Sequence, residues 1–590
     1  MSITGARYTV KFLAEQGVRT VAGIPGGSIL PLYDALAQQS AVRHVLARHE
    51  QGAAFMAQGM ARLTGRPGVC LATSGPGATN LVTAIADARR DSVPLVCITG
   101  QVPLSMIGTE AFQEVDIVEV TRPVAKAGRM VRHASELPEA LAWAFRVAAE
   151  GRPGPVVLDI PKDVQAQDFK EEEHPEETPA APRVISNWDA SRAAAMINAA
   201  SRPVLLLGGG AAKGNAPELA RRLAEKANIP VTMTLMGLGA LPAAHRLSLG
   251  MHGMHGHPWA NAALAECDLL VAVGSRFDDR ATGRPETFCP KAKIVHINLD
   301  PSELGRILRA DLGIACEAAQ ALAAILPLAE RRERRDWLSR ITRFKAEAPM
   351  AGAANCAGCA RSVITRFKAE APMAGAANCA GCARSVITDV AARLRPDAVI
   401  VTDVGQHQMF VAQSFPYRTP GRWLTSGGLG VMGFGLPAAI GAALADPQAQ
   451  VVCFSGDGSL KMNIQELATL AETGANVKIV VLDNQSLGLV AQQQKLFFAR
   501  KSASRYSRGT DFAALAEAFG VTGLNLDACD DPAAALEDAL NAPVPVLIHA
   551  RVDPGAMVFP MVPPGAANSE MLHGHPAARG EALPEAANMR

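Results

Sequence analysis

Short apolar runs alternate with helical stretches through the first 167 residues of the chain. Strands of this kind, each followed by a helix, are typical of a parallel sheet that is covered by helices on both faces. We therefore predict an α/β domain over residues 1–167. Its predicted strands are Val18–Gly23, Gly68–Thr73, Val93–Ile98 and Val156–Ile160.

The same pattern recurs twice, so the chain is predicted to contain three doubly wound parallel-sheet domains of the α/β class. The polar stretch Asp168–Asn187 is interpreted as a linker. A second domain spans 188–325, with predicted strands at Pro203–Leu207, Leu269–Gly274 and Ile294–Asp300. A third spans 387–560. Residues 561–590 form a C-terminal tail, which we expect to be disordered from about residue 574 because it has little apolar content.

The segment between the second and third domains, residues 326–386, is predicted to be a linker that contains a repeat. Residues 341–363 and 364–386 have the same 23-residue sequence. Two copies are too few for a solenoid, so a tandem duplication or a sequence-assembly error is the better interpretation. The copies place Cys356, Cys359, Cys379 and Cys382 at a zinc-site spacing. Because copying one Cys-x-x-Cys segment generates that spacing, we interpret the region as a linker with one surplus copy.

One uncharged stretch, Trp423–Ala445, is long enough to span a membrane. Its six glycines and Pro437 favour instead a buried loop that leads into a core helix. A net charge of +1 argues against nucleic acid or an acidic surface as a partner. The chain opens without an apolar leader, so we expect a cytoplasmic enzyme whose eleven cysteines are reduced.

Candidate metal ligands follow two apolar runs of the third domain. Gly456-Asp457-Gly458 comes directly after Val451–Ser455, and Asn484 follows the run 477–482. A carboxylate and an amide oxygen on neighbouring strand ends suit Mg²⁺, which often shares its ligand sphere with phosphate oxygens. Gly-Asp-Gly alone would indicate only a turn, but residues 459–470 between the two runs have the apolar spacing of a helix. The combination predicts a magnesium site.

This unit resembles the diphosphate-binding motif of thiamine-diphosphate enzymes. The resemblance implies that Asp457, Asn484 and the backbone carbonyl of Ser486 hold the Mg²⁺ that carries the diphosphate. It also assigns Gly456, Gly458 and Ser459 to cofactor binding. The chain departs from the family at Asp483, where an asparagine is usual. The extra carboxylate either tunes the site or faces away from it.

Three segments of the first domain resemble the pyrimidine-binding domain of the same enzymes. They are Gly23–Gly27, Arg48–Glu50 and Ser74–Asn80. A lone Glu at the start of a helix is usually only a favourable partner for the helix dipole. The resemblance implies instead that Glu50 exchanges a proton with the aminopyrimidine of the cofactor, and that Gly26 lies in the cofactor site. The cofactor supplies the carbanion chemistry, and the protein orients and shields it.

Five longer runs are similar to the acetohydroxyacid synthase (acetolactate synthase) large catalytic subunit. They are Ile98–Pro103, Glu110–Glu114, Gly274–Arg280, Asp403–Gln408 and Gly427–Gly435. The resemblance covers residues 1 to about 340 and 387 to about 572, in order. It implies that the three domains are, in turn, the pyrimidine-binding, the central FAD-type and the diphosphate-binding domain.

The resemblance also implies roles for single residues. Gln406 and His407 contact the diphosphate, the Gly430 carbonyl accepts a hydrogen bond from the aminopyrimidine, and Met432 imposes a bent cofactor conformation. Gln113 and Lys162 are the implied catalytic groups beside Glu50, and Phe112, Arg280 and Gln493 the implied substrate contacts, with Arg280 suited to a carboxylate. The implied FAD positions are Gly208, Gly209, Arg276, Asp278 and Asp300, with a structural role for the flavin.

The implied reaction is acetolactate synthesis, the first common step of valine, leucine and isoleucine biosynthesis. Pyruvate loses CO₂, and the remainder is joined to a second 2-ketoacid, pyruvate or 2-ketobutyrate. The implied assembly is a homodimer or a higher oligomer with active sites at the dimer interface, together with a separate regulatory small subunit.

Two alternatives stay open beside this interpretation. One is another carboligase or oxidase of the superfamily, such as glyoxylate carboligase, which lacks a Glu at the position of Glu50. The other is a catalytically inactive binding subunit, against which the presence of Glu50, Asp457 and Asn484 argues.

Overall fold

Three six-stranded parallel sheets flanked by helices make up the described part of the chain, residues 2–170, 184–347 and 381–574 of a computed structural model. The inner strands of each sheet are buried on both faces, as expected when helices cover a parallel sheet on each side. The predicted α/β class with three parallel-sheet domains is confirmed.

The first sheet contains all four strands that the sequence predicts for the first domain, with bounds that differ by up to three residues. Its order is Arg43–Leu46, Thr20–Gly23, Gly68–Ala72, Leu95–Gln101, Pro155–Pro161 and Ala127–Met130. Its α-helices are Gly5–Glu15, Leu30–Ala37, Glu50–Thr64, Pro76–Thr79, Val82–Asp91, Ile117–Thr121, Leu137–Ala149 and Lys162–Ala166. Asp168–Lys170, interpreted as linker from their polarity, instead pair antiparallel with Ser2–Thr4, a backbone contact that side-chain polarity does not report.

The second sheet forms the central domain. Its order is Ser248–Met251, Val231–Met233, Pro203–Leu207, Leu269–Val273, Lys293–Asn298 and Leu312–Ala315. Its α-helices are Asn187–Ala199, Ala216–Ala227, Pro258–Glu266, Asp279–Thr282, Ala318–Leu328 and Arg335–Glu347. The last of these lies within the segment 326–386 that we interpreted as linker, and it buries Trp337, Ile341 and Phe344 against the central domain.

The third sheet contains the two strands that precede the candidate metal ligands. Its order is Trp423–Leu424, Val399–Thr402, Val451–Gly456, Val477–Asp483, Val546–Arg551 and Thr522–Asn525. Its α-helices are Ala383–Ala392, Gln406–Ser414, Gly435–Ala445, Asp457–Leu460, Glu466–Thr473, Gly488–Phe498, Phe512–Ala518 and Pro532–Asn541.

The single helix that we predicted over 459–470 is wrong, because the chain forms two helices there, Asp457–Leu460 and Glu466–Thr473. Between them, the buried Asn463 side chain donates to the Gly433 carbonyl at 2.8 Å and accepts from Gln465 at 3.0 Å. These tertiary bonds replace helix bonds, which apolar spacing alone does not reveal.

The first and third domains of one chain share a hydrophobic core. Helix Gly435–Ala445 is buried along nearly its whole length and packs against helix Glu50–Thr64. The two backbones approach so closely that a Cβ at Gly59 would overlap the Ala438 carbonyl, and a Cβ at Gly441 would overlap the Met56 carbonyl. The uncharged stretch is therefore a loop and a core helix. No helix in the described ranges is long and apolar enough to cross a membrane.

The described chain enters and leaves the repeat through packed helices. Ile341 and Phe344 of the first copy lie in helix Arg335–Glu347, and Ala383 and Val386 of the second copy begin helix Ala383–Ala392. The predicted surplus copy falls largely on residues 348–380, outside the described residues. Cys356, Cys359 and Cys379 are also outside them, so the zinc spacing is untested there. No group of three or more His, Cys, Asp or Glu side chains in the described ranges is arranged to hold a metal ion.

The beginning of the predicted tail is packed. Met561 pairs with Leu572, and the Val562 amide donates to the Met254 carbonyl of the central domain at 2.8 Å. The part of the tail that we expected to be disordered lies outside the described residues from position 575 onward.

Candidate active site

A pocket opens at the carboxyl ends of the third sheet, where Val451–Gly456 and Val477–Asp483 run side by side. Ligands in open α/β sheets bind at this edge. The residues that line it include Gly405, Gln406, His407, Met432, Gly456, Asp457, Gly458, Ser459, Asn484 and Ser486. The structure thus brings together nearly all of the residues predicted for the diphosphate and metal.

Asp457 lies at the first turn of a short helix with its carboxylate buried, 2% exposed. Burial and the neighbouring Asp483 carboxylate raise the pKa of Asp457 to about 7. Its Oδ2 has no hydrogen-bond partner among the described residues. A buried carboxylate oxygen without a partner is costly unless a cation or a donor meets it. These features fit a divalent cation at this position.

Asn484 shapes the second half of the candidate metal site. Its Oδ1 accepts from the backbone N–H and the hydroxyl of Ser486, both at 3.1 Å. Its amide nitrogen donates to Gln406 Oε1 at 2.9 Å. The Asn484–Ser486 turn is therefore closed on itself and held against the helix that carries Gln406 and His407.

Asp483, the departure from the family pattern, turns away from this pocket. Its Oδ2 lies 3.1 Å from His549 Nε2 on the neighbouring strand, and its Oδ1 accepts from the Gln485 amide at 2.9 Å. Asp483 does not line the pocket. Of the two possibilities left by the sequence, the structure favours a carboxylate that faces away and acts on Asp457 only through its charge.

The glycines around the pocket let backbone and side chains come close. Gly405 has a φ of 149°, which favours glycine, and a Cβ at Gly456 would lie 2.6 Å from His407 Nδ1. His407 is buried, and burial lowers its pKa to about 4. It is therefore neutral near pH 7, and its Nε2 has no partner among the described residues.

Glu50 occupies a different crevice, at the carboxyl ends of the first sheet. It begins helix Glu50–Thr64, is 8% exposed and accepts a hydrogen bond from Asn80 Nδ2 at 2.9 Å. Gly26 packs against the Thr73 side chain beside it, and a Cβ at Gly77 would lie 3.2 Å from Glu50 Oε1. Sequence reasoning missed Asn80 as a partner of Glu50, although the motif that ends at Asn80 contained the signal.

The two halves of the predicted site are separate within one chain. All residues that line the diphosphate pocket belong to the third domain, whereas Glu50 and its neighbours belong to the first. Gly430, with a φ of 72°, lies at the exposed tip of the loop between Leu424 and Gly435.

The predicted substrate residues lie on three surfaces. Phe112 is 87% exposed, and Gln113 beside it has a φ of 62° and contacts Gly75. Lys162 begins helix Lys162–Ala166, which directly follows strand Pro155–Pro161 of the first sheet. Arg280 lines a cleft between the central domain and the C-terminal segment, and Gln493 is half-buried on helix Gly488–Phe498. One chain does not bring these residues together, and their roles stay predictions.

The predicted FAD positions follow strands of the central sheet. Gly208 approaches Gly274 so closely that a Cβ would overlap the Gly274 carbonyl. Arg276 is half-buried. Burial is the main cause that lowers the pKa of its guanidinium, and the positive charge of the nearby Arg152 lowers the pKa further. Asp278 caps its own helix by accepting from the Ala281 amide at 3.2 Å, and Asp300 lies 3.5 Å from Arg152. Half-buried cationic groups beside a glycine-rich turn suit a ligand that carries phosphates.

Comparison with known proteins identifies the same three domains. The chain matches the N-terminal TPP binding domain of thiamine pyrophosphate enzymes over residues 3–120, the central domain over 190–325 and the C-terminal TPP binding domain over 403–550. Together these matches cover more than half of the chain.

Several curated relatives are similar over almost their whole length. The acetolactate synthase isozyme 1 large subunit of Escherichia coli (strain K12) is 53% identical over 96% of this chain and 97% of its own length. The isozyme 2 large subunit of the same organism is 44% identical over 97% and 99%. A probable acetolactate synthase large subunit of Methanocaldococcus jannaschii is 42% identical over 95% and 94%. With its three domains and the buried Glu50, Asp457 and Asn484, the chain belongs to the acetolactate synthase large-subunit family of thiamine pyrophosphate enzymes.

Proposed function

We propose that this chain is the catalytic subunit of an acetolactate synthase. It removes CO₂ from pyruvate and joins the two-carbon remainder to a second 2-ketoacid, pyruvate or 2-ketobutyrate. The observation that carries the proposal is the near-complete match to acetolactate synthase large subunits, together with a buried Glu50 and a buried Asp457 whose Oδ2 has no partner among the described residues.

Thiamine diphosphate, when bound, would supply carbanion chemistry at the ketone carbon of a 2-ketoacid. Asp457, Asn484 and the Ser486 carbonyl would hold the Mg²⁺ that binds the diphosphate. Glu50, buried and oriented by Asn80, would hold and move a proton at the aminopyrimidine. The other residues that line the pocket would exclude water, which strengthens each of these polar interactions.

The test is direct. The purified chain, supplied with thiamine diphosphate, Mg²⁺ and pyruvate, should release CO₂ and form acetolactate, measured as acetoin after acidification. Glyoxylate offered alone should give little CO₂. Faster turnover of glyoxylate than of pyruvate would support the carboligase alternative, and the absence of turnover with either would support an inactive binding subunit.

We infer that two copies of the chain build each active site. The support is that Glu50 and its partner Asn80 belong to the first domain and do not line the diphosphate pocket, which is formed by residues of the third domain. Dilution should therefore inactivate the enzyme, and thiamine diphosphate with Mg²⁺ should oppose the loss by mass action. A species verified as monomeric by light scattering should have no activity. Full activity in such a monomer would contradict the inference.

We also infer that the central domain binds FAD in a structural role and that a separate small subunit regulates the enzyme. The support for FAD is the half-buried Arg276 beside the glycine-rich turn, and the support for the small subunit is that relatives are named large subunits. The purified chain should show a flavin absorbance spectrum. Arg276→Ala should weaken flavin binding at least about tenfold, since charge-assisted contacts are the strong ones. Unchanged flavin affinity would remove Arg276 from the site.

A further inference from the structure

We propose that two carboxylates, Asp91 and Glu466, are positioning residues that act across the boundary between the first and third domains of one chain. Each accepts hydrogen bonds from two consecutive backbone N–H groups of the other domain. The backbone that each one holds carries a group assigned above to the cofactor. The proposal rests on the proposed function, and it adds residues that touch neither cofactor nor substrate.

Asp91, at the end of helix Val82–Asp91, holds the loop that leads to Gly430 and Met432. Its Oδ1 accepts from the Gly428 amide at 2.7 Å, and its Oδ2 accepts from the Gly427 amide at 3.0 Å. The carboxylate is buried at this boundary. Bonds from backbone N–H groups to an ionised acceptor are stronger than neutral ones and define its geometry.

A second layer holds the same loop and the same carboxylate. Arg62 donates to Asp91 at 2.9 Å and to the Thr425 carbonyl at 3.0 Å. Asp87 accepts from the Ser426 hydroxyl at 2.5 Å, and Ser426 Oγ in turn accepts from the Val431 amide at 2.9 Å. The base of the loop, Thr425–Ser426, is therefore tied to the first domain through both side chains and backbone.

The loop needs such support because its tip has little packing of its own. Gly428, Leu429 and Gly430 are exposed, whereas Thr425 and Ser426 are buried. A segment rich in glycine loses more conformational entropy on ordering than any other. The clamp at its base limits where the Gly430 carbonyl and Met432 can lie before any cofactor arrives.

Glu466 makes the reciprocal contact from the third domain. Its Oε1 accepts from the Arg48 amide and the His49 amide, both at 3.0 Å, directly before Glu50. Its Oε2 accepts from the Thr469 hydroxyl at 2.7 Å. A Cβ at Gly52 would overlap Glu466 Oε1, so glycine lets the carboxylate reach the start of the helix. The position of Glu50 thus depends on a carboxylate of the other domain.

The central domain offers a matched control. Asp268 also accepts from two consecutive backbone N–H groups, those of Ser201 and Arg202, both at 2.8 Å. It belongs to a turn that carries no candidate site residue. A purely structural role for the carboxylates would make Asp91, Glu466 and Asp268 equivalent in their effects.

The experiment compares Asp91→Ala, Asp91→Asn, Glu466→Ala and the control Asp268→Ala. Misplacement by about 1 Å can cost on the order of 10²-fold in rate. We expect kcat to fall at least about tenfold in Asp91→Ala and Glu466→Ala, with the pyruvate KM within about threefold of the parent. Asp91→Asn keeps one carbonyl acceptor, so its kcat should lie between those of the parent and Asp91→Ala. Asp268→Ala should stay within about twofold of the parent in both constants.

Two readouts do not depend on turnover. Amide hydrogen exchange, measured without cofactor, should accelerate at least about tenfold in 425–431 for Asp91→Ala and in 47–52 for Glu466→Ala, but in neither segment for Asp268→Ala. Deuterium exchange at the thiazolium C2 of bound thiamine diphosphate should slow by the same factor as kcat.

The outcomes separate this proposal from the proposed function. An inactive parent chain overturns the proposed function, while amide exchange in the unliganded protein still tests the clamps. If Asp91→Ala and Glu466→Ala change amide exchange and kcat no more than Asp268→Ala does, the clamps are only structural and the proposal is overturned. If Asp91→Ala fails to fold, Asp91→Asn decides: parent-like exchange in 425–431 with parent-like kcat would overturn it as well.

Discussion

Glu50→Gln should remove most of the activity and leave the fold intact. The substitution preserves side-chain size, and the new amide oxygen can still accept from Asn80, whose nitrogen lies 2.9 Å from Glu50 Oε2. What is lost is the group that exchanges a proton with the cofactor. General acid–base catalysis contributes roughly 10²–10⁴-fold, which corresponds to about 2.7–5.4 kcal/mol of activation free energy.

The effect on stability should be smaller. Removing a negative charge from the first turn of a helix costs about 0.3–1 kcal/mol, and weakening the bond to Asn80 costs on the order of 1 kcal/mol. Burying a neutral amide in place of a charge offsets part of this. We therefore expect Tm to change by no more than a few degrees, while kcat falls at least about a hundredfold.

The assay measures acetolactate formation at saturating pyruvate, with thiamine diphosphate affinity and Tm measured on the same preparation. Glu218→Gln is the matched control, since Glu218 also lies in the first turn of a helix and is remote from the candidate site. The kcat of Glu218→Gln should stay within about twofold of that of the parent. A loss below about tenfold for Glu50→Gln, with the cofactor bound, would refute the assigned proton role.

Three further perturbations test other parts of the structure. Deleting residues 341–363 leaves the same chain as deleting 364–386, so both packed ends of the repeat are retained. Activity and Tm should therefore be nearly unchanged, and a large drop in either would mean that both copies are needed. In a competition assay the parent should prefer 2-ketobutyrate over pyruvate as acceptor by less than about twentyfold. Gln493→Trp should raise that preference, because one methylene in an apolar pocket is worth roughly 10–200-fold. A preference above about twentyfold in the parent would contradict this reasoning. Burial raises the pKa of Asp159 to about 7, so its carboxyl lowers the stability of the fold progressively as pH rises from about 4 to 7. The Tm of Asp159→Asn relative to that of the parent should therefore rise over that pH range. A constant difference in Tm would contradict the raised pKa.

The local order of elements was readable because the inner strands of a parallel sheet are buried on both faces and so form continuous apolar runs. Pro203–Leu207 has the predicted bounds, and the strand before Asp457 extends only one residue further than expected. The metal motif was found for a related reason. Asp457 and Asn484 follow neighbouring strands, and the ends of parallel strands meet at one edge.

The sequence failed where a distant contact replaced a local one. The break between Asp457–Leu460 and Glu466–Thr473 comes from the bond of Asn463 to Gly433, thirty residues away. The direction of Asp483 depends on His549 in another strand. Neither partner can be inferred from spacing along the chain.

By itself the sequence determined the three α/β domains, the family and the types of residue at the candidate site, because burial and local chemistry are written in consecutive residues. Only the tertiary structure decided how the first and third domains contact each other. Gly59 packs closely against the helix that contains Gly441, and the carboxylates of Asp91 and Glu466 each accept hydrogen bonds from backbone N–H groups of the opposite domain. Such contacts join residues several hundred positions apart, and a backbone N–H has no signature in the sequence, since every residue except proline carries one.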